Sequence, residues 1–252
     1  MSDGAEETGR LVRADGVELA WKRLSGREPT IVFLPGFRSD MEGSKALYLA
    51  DLAAARGQAM VRLDYSGHGV SGGRFEDGTI GLWTEDALHV IDAVSEGPLV
   101  LVGSSMGGWI ALNLALLRPE RLAGYIGIAA APDFTEALIW EAMPGIARKM
   151  LMEKGVVHTP SAYGDPLPIT RALIEDGRRH LRLGGPIPLR CPVRLLQGQK
   201  DPDVPWRTAL KLAERVESDD VQVTLIKDGD HRLSRDSDLA LLKDVVLRLL
   251  PV

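Results

Sequence analysis

The chain has 252 residues, 45% of them apolar and 26% charged, a balance that suits a globular protein able to bury a core without disulfides or metals. Its 30 Lys and Arg against 35 Asp and Glu leave a net charge of -5. This argues against a nucleic-acid binder, which needs a basic surplus to neutralise phosphates. One cysteine, Cys191, excludes an internal disulfide framework and a cysteine-rich zinc site, and no apolar run reaches the roughly 18–20 residues that span a bilayer.

The start, MSDGAEETGR, is acidic and has neither the apolar core of a secretory signal nor the Arg-rich face of a transit peptide, so a cytoplasmic protein is expected. An Asp-Gly inside LVRADGVELAWKR (11–23) predicts an antiparallel hairpin. TIVFLP (30–35), QAMVRLD (58–64), PLVLVG (98–103), YIGIAA (125–130), PVRLLQG (192–198) and VQVTLIK (221–227) then read as strands, most of them continuously apolar, as strands covered on both faces are. Helical patterns fall between and after them, near 43–56, 79–95, 105–117, 206–216 and 237–250. Strand and helix alternating in this way predict an α/β fold: a mostly parallel central sheet with helices on both faces and the hairpin at one edge. Between Ala130 and Pro192 the rhythm breaks, too long for a plain connection. Helical patterns at 133–152 and 169–183, separated by the Pro-rich TPSAYGDPLP, predict a helical cap at about 132–190 inserted into one domain, 1–252.

Gly-x-Ser-x-Gly occurs twice, around Ser71 and around Ser105. The chemistry needs a serine on a sharp strand-to-helix turn, with small neighbours that let the backbone bend. Ser105 meets that need: PLVLVG precedes it and the apolar helix MGGWIALNLALL follows, with its N-terminal partial positive charge at the serine. Ser71 lies in the Gly-rich loop YSGHGVSGG, with no strand before it and no helix directly after, and reads as a loop residue; Ser104 reads as the turn residue packed beneath the nucleophile.

A serine hydroxyl needs a base, and the base an orienting acid. Of the five histidines, His89 sits on a helix face, His68 in the Gly-rich loop, and His158 and His180 in the cap, all with structural readings. His231, in KDGDHR after the last strand, lies on a loop at the same sheet edge as Ser105 and is the expected base. The loop after PVRLLQG offers Asp201 as the acid, three residues past Gly198; Asp203 is the competitor, suited to capping the next helix, and Asp230 reads as a turn residue beside His231. Two backbone N–H groups should bind the oxyanion: that of Met106, directly after the nucleophile, and that of Phe37, in the Pro-Gly-Phe turn after TIVFLP. In the cap, Phe134, Leu138, Trp140 and Met143 recur at helical spacing, which fits either packing onto the domain or an apolar channel for an acyl group. Cys191, before a strand-starting proline, reads as a structural thiol.

Together these residues resemble an α/β-hydrolase, whose chain order of nucleophile, acid and base is that of Ser105, Asp201 and His231. Over about residues 10–250, the stretches LPGFRSDMEGSKA, RLDYSGHGVSGG, LVGSSMGGW, CPVRLLQGQKDPDVPW and the terminal DHR are similar to the branch of the mitochondrial palmitoyl-protein thioesterase and acyl-glucuronide esterase. The DYSGHGVSGG loop is shared across the fold; FRSDMEGSKA and VPW are more particular to the branch. The resemblance implies hydrolysis of a small-molecule ester or a thioester, S-acylated proteins among the substrates, without metal or organic cofactor; no oligomeric partner is specified. The chain departs from the branch in two respects. No transit peptide is seen, so the mitochondrial address does not carry over, and Gln197 stands where many relatives have His, so no catalytic role is expected there. The competing readings are an aminopeptidase or a cofactor-free perhydrolase on the same triad, and a hydrolase-shaped binding protein without turnover. Dehalogenase and epoxide-hydrolase chemistry would need an Asp where Ser105 stands.

Overall fold

A computed structural model describes residues 6–161 and 164–251. The first hairpin forms where the Asp-Gly turn predicts it, from β1 (Glu7–Val12) and β2 (Glu18–Leu24), paired antiparallel with Leu11 opposite Leu19. Next come β3 (Arg27–Leu34), α1 (Ser44–Arg56), β4 (Gln58–Leu63), α2 (Ile80–Val94), β5 (Leu99–Ser104), α3 (Met106–Leu117) and β6 (Leu122–Ile128). After the long intervening segment the chain resumes with β9 (Val193–Gly198), α6 (Arg207–Arg215), β10 (Val221–Ile226) and α7 (Asp236–Leu247). The eight strands lie in the order β1-β2-β4-β3-β5-β6-β9-β10. β2 meets β4 antiparallel, and every pairing beyond it is parallel.

Alternation along the parallel strands divides the core between two faces. Leu99 and Leu101 of β5 join one cluster with Trp83 of α2, Trp109 of α3 and Leu212 of α6. Val100 and Val102 point the other way, to Leu49 of α1 and Val246 of α7. The helix α3 has no polar stripe, and Met106 through Ala115 are all buried, as a helix apolar all round must be. The α1 helix stops at Gly57, whose left-handed φ of 62° lets its N–H reach the Ala53 and Ala54 carbonyls.

Between β6 and β9 the expected pair of long helices is replaced by smaller pieces. A π-helical turn spans Thr135–Trp140, with the Glu141 N–H donating five residues back to the Glu136 carbonyl at 2.9 Å. Pro144 stops that turn from continuing and opens α4 (Gly145–Lys154). The stretch TPSAYGDPLP, read as a separator, lies in a two-stranded ribbon of β7 (Val156–Ser161) and β8 (Gly164–Thr170); its Ala162 and Tyr163 lie outside the described residues. An isolated ribbon accommodates proline because half of its backbone N–H groups point away from the partner strand. Thr170 then caps α5 (Arg171–Arg179), shorter than the predicted 169–183, by accepting the Leu173 N–H.

Candidate active site

The turn at Ser105 is built by close backbone approach. β5 pairs Ser104 with Ile128 of β6, and the Ser105 N–H donates to the Ile128 carbonyl at 2.9 Å. Ser105 itself has φ 54° and ψ -119°, a conformation that costs a non-glycine residue about 1–3 kcal/mol. The glycines on either side permit this turn. A Cβ at Gly103 would lie 2.3 Å from the Gly107 carbonyl oxygen, and one at Gly107 would lie 2.0 Å from that of Leu34.

Two loops from distant parts of the chain meet the serine. His231, on the loop after β10, places Nε2 3.1 Å from Ser105 Oγ and Nδ1 2.8 Å from Asp201 Oδ2. The Asp201 side chain, on the loop after β9, is fully buried. Burial raises its carboxyl, but the bonds from His231 and the Val204 and Asp203 amides outweigh that, and its pKa stays below the ordinary value. With Asp201 ionised, Nδ1 carries the proton and Nε2 presents its lone pair to the hydroxyl. The Lys45 ammonium, from α1, donates to the Arg232 carbonyl at 2.5 Å and tethers the histidine loop; burial pushes it down to about 8.

The turn after β3 closes the fourth side. A Cβ at Gly36 would sit 3.3 Å from Ser105 Cβ, so the Pro35-Gly36-Phe37 backbone lies against the serine. Among the described residues, neither the Phe37 nor the Met106 N–H has a protein acceptor, which leaves both available for an anionic oxygen. The Phe37 ring is packed edge-on against Phe75, Trp83 and Phe134, at centroid distances of 4.9, 5.8 and 5.7 Å.

Several other positions resolve. Ser71 Oγ accepts the Ala20 N–H and donates to the Asp64 carbonyl, tying the Gly-rich loop to β2. Asp203 is exposed, and α6 starts after Trp206 without a side-chain cap. Asp230 accepts the Leu233 N–H, a turn contact. His89 and His158 are exposed, and the His180 carbonyl accepts the Trp109 indole N–H. Burial pushes the Cys191 thiol up to about 12, away from nucleophilic use. Of the cap residues, Phe134 and Met143 are buried, Phe134 against Phe37 and Trp109. Leu138 and Trp140 are half-buried, and the Arg148 and Arg178 guanidiniums each lie over the Trp140 ring, at 5.3 and 4.6 Å from its centroid. A cleft of about 320 Å³ opens beside the Phe37 turn, walled by Arg38, His68, Phe75, Glu76, His158 and Pro168; none of those four cap residues lines it.

Sequence reasoning missed two residues. Gln197, set aside as carrying no role, is fully buried and donates its side-chain amide to Asp201 Oδ2 at 2.9 Å. The inward-facing end of a continuously apolar strand was the available signal, since a polar side chain there needs a partner. The second is His68, read as a loop residue but buried, with its ring nitrogens 3.2 Å from the Ser66 carbonyl oxygen and 3.2 Å from the Arg38 backbone nitrogen. Asp201, Asp203 and His231 also bring possible metal-ligating atoms within 4.8 Å of one another, but a cation on Nδ1 would displace the hydrogen bond that orients the imidazole.

The family model described as "Serine aminopeptidase, S33" (Hydrolase_4) matches residues 27–171. The chain is 42% identical over 234 residues to the human "Palmitoyl-protein thioesterase ABHD10, mitochondrial", covering 92% of this chain and 76% of that protein. The structure of mouse alpha/beta hydrolase domain-containing protein 10 superposes with a TM-score of 0.89 at 41% identity, covering 96% of this chain and 98% of that one. A solved structure from Agrobacterium vitis S4 gives 0.94 at 44% identity, with 98% and 99% covered. The thioesterase relatives are named as mitochondrial, which overturns the expected cytoplasmic location. That expectation rested on the composition of a few N-terminal residues, whereas a compartment address is a separable segment that leaves no mark on the fold. The chain belongs to the α/β-hydrolase family, alongside the ABHD10 thioesterases, and is an enzyme of the serine esterase and thioesterase type.

Proposed function

We propose that the chain hydrolyses carboxylic esters or thioesters through an acyl-enzyme on Ser105, with His231 as base, Asp201 as orienting acid, and the Phe37 and Met106 N–H groups as oxyanion donors. The observation that carries this reading is the continuous Asp201–His231–Ser105 hydrogen-bonded chain, at 2.8 and 3.1 Å. His231 Nε2 takes the Ser105 proton as Oγ attacks the acyl carbon. The carbonyl oxygen becomes an oxyanion, and the resulting imidazolium is balanced by Asp201. The imidazolium then returns the proton to the leaving alkoxide or thiolate as its bond to carbon breaks. Water attacks the acyl-serine by the same route, releasing the acid and restoring Ser105.

A thioester is the substrate class we favour, with an S-acylated protein as its larger form, in keeping with the ABHD10 name. A thiolate, with a free pKa of about 8.5, leaves readily and asks little of the general acid, whereas an amine must be protonated to depart. Residues 132–190 act as a cap on a single domain, with Phe134, Leu138, Trp140 and Met143 as its apolar surface for the acyl group. The family model's description favours a second reading, an aminopeptidase. The test is a panel of p-nitrophenyl esters of increasing acyl length, an acyl-thioester peptide and an aminoacyl amide, with a fluorophosphonate label as reporter of the nucleophile. Ser105→Ala should abolish labelling and cut turnover by about 10⁴-fold or more. Faster cleavage of the amide than of the esters and thioester would establish the second reading.

A further inference from the structure

His68 is 3% exposed, and the proposed catalytic steps make no use of it. Its two ring nitrogens have different partners: Nδ1 lies 3.2 Å from the Ser66 carbonyl oxygen, and Nε2 lies 3.2 Å from the Arg38 backbone nitrogen. A carbonyl can only accept and a backbone N–H can only donate, so the proton is on Nδ1 and Nε2 receives the Arg38 N–H. Burial favours this neutral ring and lowers its pKa to about 4. The Arg38 N–H belongs to the peptide that follows Phe37, and Arg38 holds a left-handed φ of 55°, which a residue with a Cβ adopts only when its surroundings impose it. The ring's edges and faces meet the same aromatic groups as Phe37 does. Phe75 and Trp83 lie 5.1 and 5.0 Å from His68, and 4.9 and 5.8 Å from Phe37. One buried imidazole therefore holds both the backbone after Phe37 and the cage around its side chain.

We infer that His68 is a positioning residue for the oxyanion hole, holding the Phe37 turn against Ser105 by accepting the Arg38 N–H. The inference rests on the reading that the Phe37 N–H binds the oxyanion. It acts only on the transition state, because the ground-state carbonyl needs the donor far less than the tetrahedral oxygen does.

The test compares two polar replacements that differ in reach. His68→Asn places its amide where Nδ1 stands, keeping the Ser66 contact but stopping short of Arg38. His68→Gln reaches the place of Nε2 with an oxygen that can accept. Ester hydrolysis by wild type, both variants and Ser105→Ala is measured alongside the affinity of an alkyl boronic acid, which forms a tetrahedral anion on the serine, and the melting temperature of each protein. We expect His68→Asn to lower kcat about 100-fold, as loss of an oxyanion donor does. KM should stay within about threefold, and boronate affinity should weaken in proportion to kcat/KM. His68→Gln should recover most of both losses. Folded His68→Asn with wild-type kcat, or equal losses in the two variants with unchanged boronate affinity, would overturn the inference. An active Ser105→Ala would instead defeat the reading beneath it, so the two failures are distinguishable. Should His68→Asn fail to fold, His68→Leu, which has no acceptor for the Arg38 N–H, takes its place: boronate affinity weakened about 100-fold there and restored in His68→Gln supports the role, and wild-type affinity in a folded His68→Leu overturns it.

Discussion

The loops at the carboxyl ends of the parallel strands and the segment above them, residues 132–190, are held by different kinds of force. Ser105 and Asp201 follow strands paired on both sides and His231 follows the edge strand β10, paired to β9, and backbone hydrogen bonds bring these three distant loops to one end of the sheet. The overlying segment shares the apolar core through Phe134, Leu173 and Leu183, and its polar ties are individual side chains. Asp133 receives the Arg182 and Leu183 N–H groups, Asp176 receives the Gly81 N–H, and Trp109 donates to the His180 carbonyl. At the sheet edge many backbone bonds share the load; in the cover a polar tie stands alone, so breaking one frees its neighbours locally.

The sharpest way to probe the first region is to leave its shape intact and change one proton. Asp201→Asn keeps the volume but offers an amide to His231 Nδ1, which favours the tautomer with its hydrogen on Nε2, facing Ser105. We expect kcat to fall about 10³–10⁴-fold with KM little changed. Steady-state kinetics on a p-nitrophenyl ester would read this, and a loss under tenfold would mean that the Asp201–His231 bond does not orient the base.

Glycines test the two regions for rigidity. In Gly107→Ala the new Cβ would lie 2.0 Å from the Leu34 backbone oxygen, where two elements of the core meet and neither can retreat. A cost of about 3 kcal/mol or more is expected, by the usual penalty of overpacking. In Gly177→Ala the Cβ would lie 2.1 Å from Thr135 Oγ1, a rotatable side-chain atom that has no hydrogen-bond partner to lose. Alanine also favours the α5 helix by about 1 kcal/mol over glycine, so the net cost should stay near 1 kcal/mol. Urea denaturation of the two variants would reverse the comparison if Gly177→Ala proved the more damaging.

The same contrast explains what the amino-acid pattern revealed. Strands β3 to β6, β9 and β10 were legible as apolar runs, the β1–β2 hairpin from its Asp-Gly turn, and the turn at Ser105 from its flanking glycines. Asp201 and His231 were legible from their place after strands at that edge. The ribbon β7–β8 was not, since Val156 and Val157 lead into a proline-rich stretch that resembles a linker, and a ribbon lying outside the main sheet leaves little periodicity. The break at Pro144 was visible as a residue, yet an apolar spacing that ran on past it suggested one helix over 133–152. Gln197 and His68 escaped for a further reason: their roles depend on which polar atom they meet across the fold, and spacing along the chain does not encode that.

Two buried aspartates, one from each region, should respond to pH with opposite sign. The Asp201 carboxyl is held below its unfolded value, despite burial, by the bonds it accepts. Its contribution to stability is therefore present above the unfolded pKa, near 4, and fades as pH falls through the lowered folded value. Asp133 is the reverse: burial raises its carboxyl and the Arg182 and Leu183 amides only partly counter this. The folded protein then holds that proton more tightly than the unfolded chain does, and the resulting stabilisation is complete below about pH 4 and lost as pH rises through the raised folded value. Asparagine titrates at neither site. Asp133→Asn also leaves one of two backbone N–H groups without an oxygen, at about 1–2 kcal/mol. Its deficit against wild type should be greatest near pH 4 and narrow towards pH 7, while that of Asp201→Asn should stand at full size from about pH 5 upward and shrink only as pH falls below about 4. Unfolding free energies for wild type and both variants at pH 2.5, 4, 5.5 and 7 would show the Asp133→Asn deficit changing above pH 4 and the Asp201→Asn deficit changing below it; deficits that changed in the same window would mean that the cover and the sheet edge hold their carboxylates in the same way.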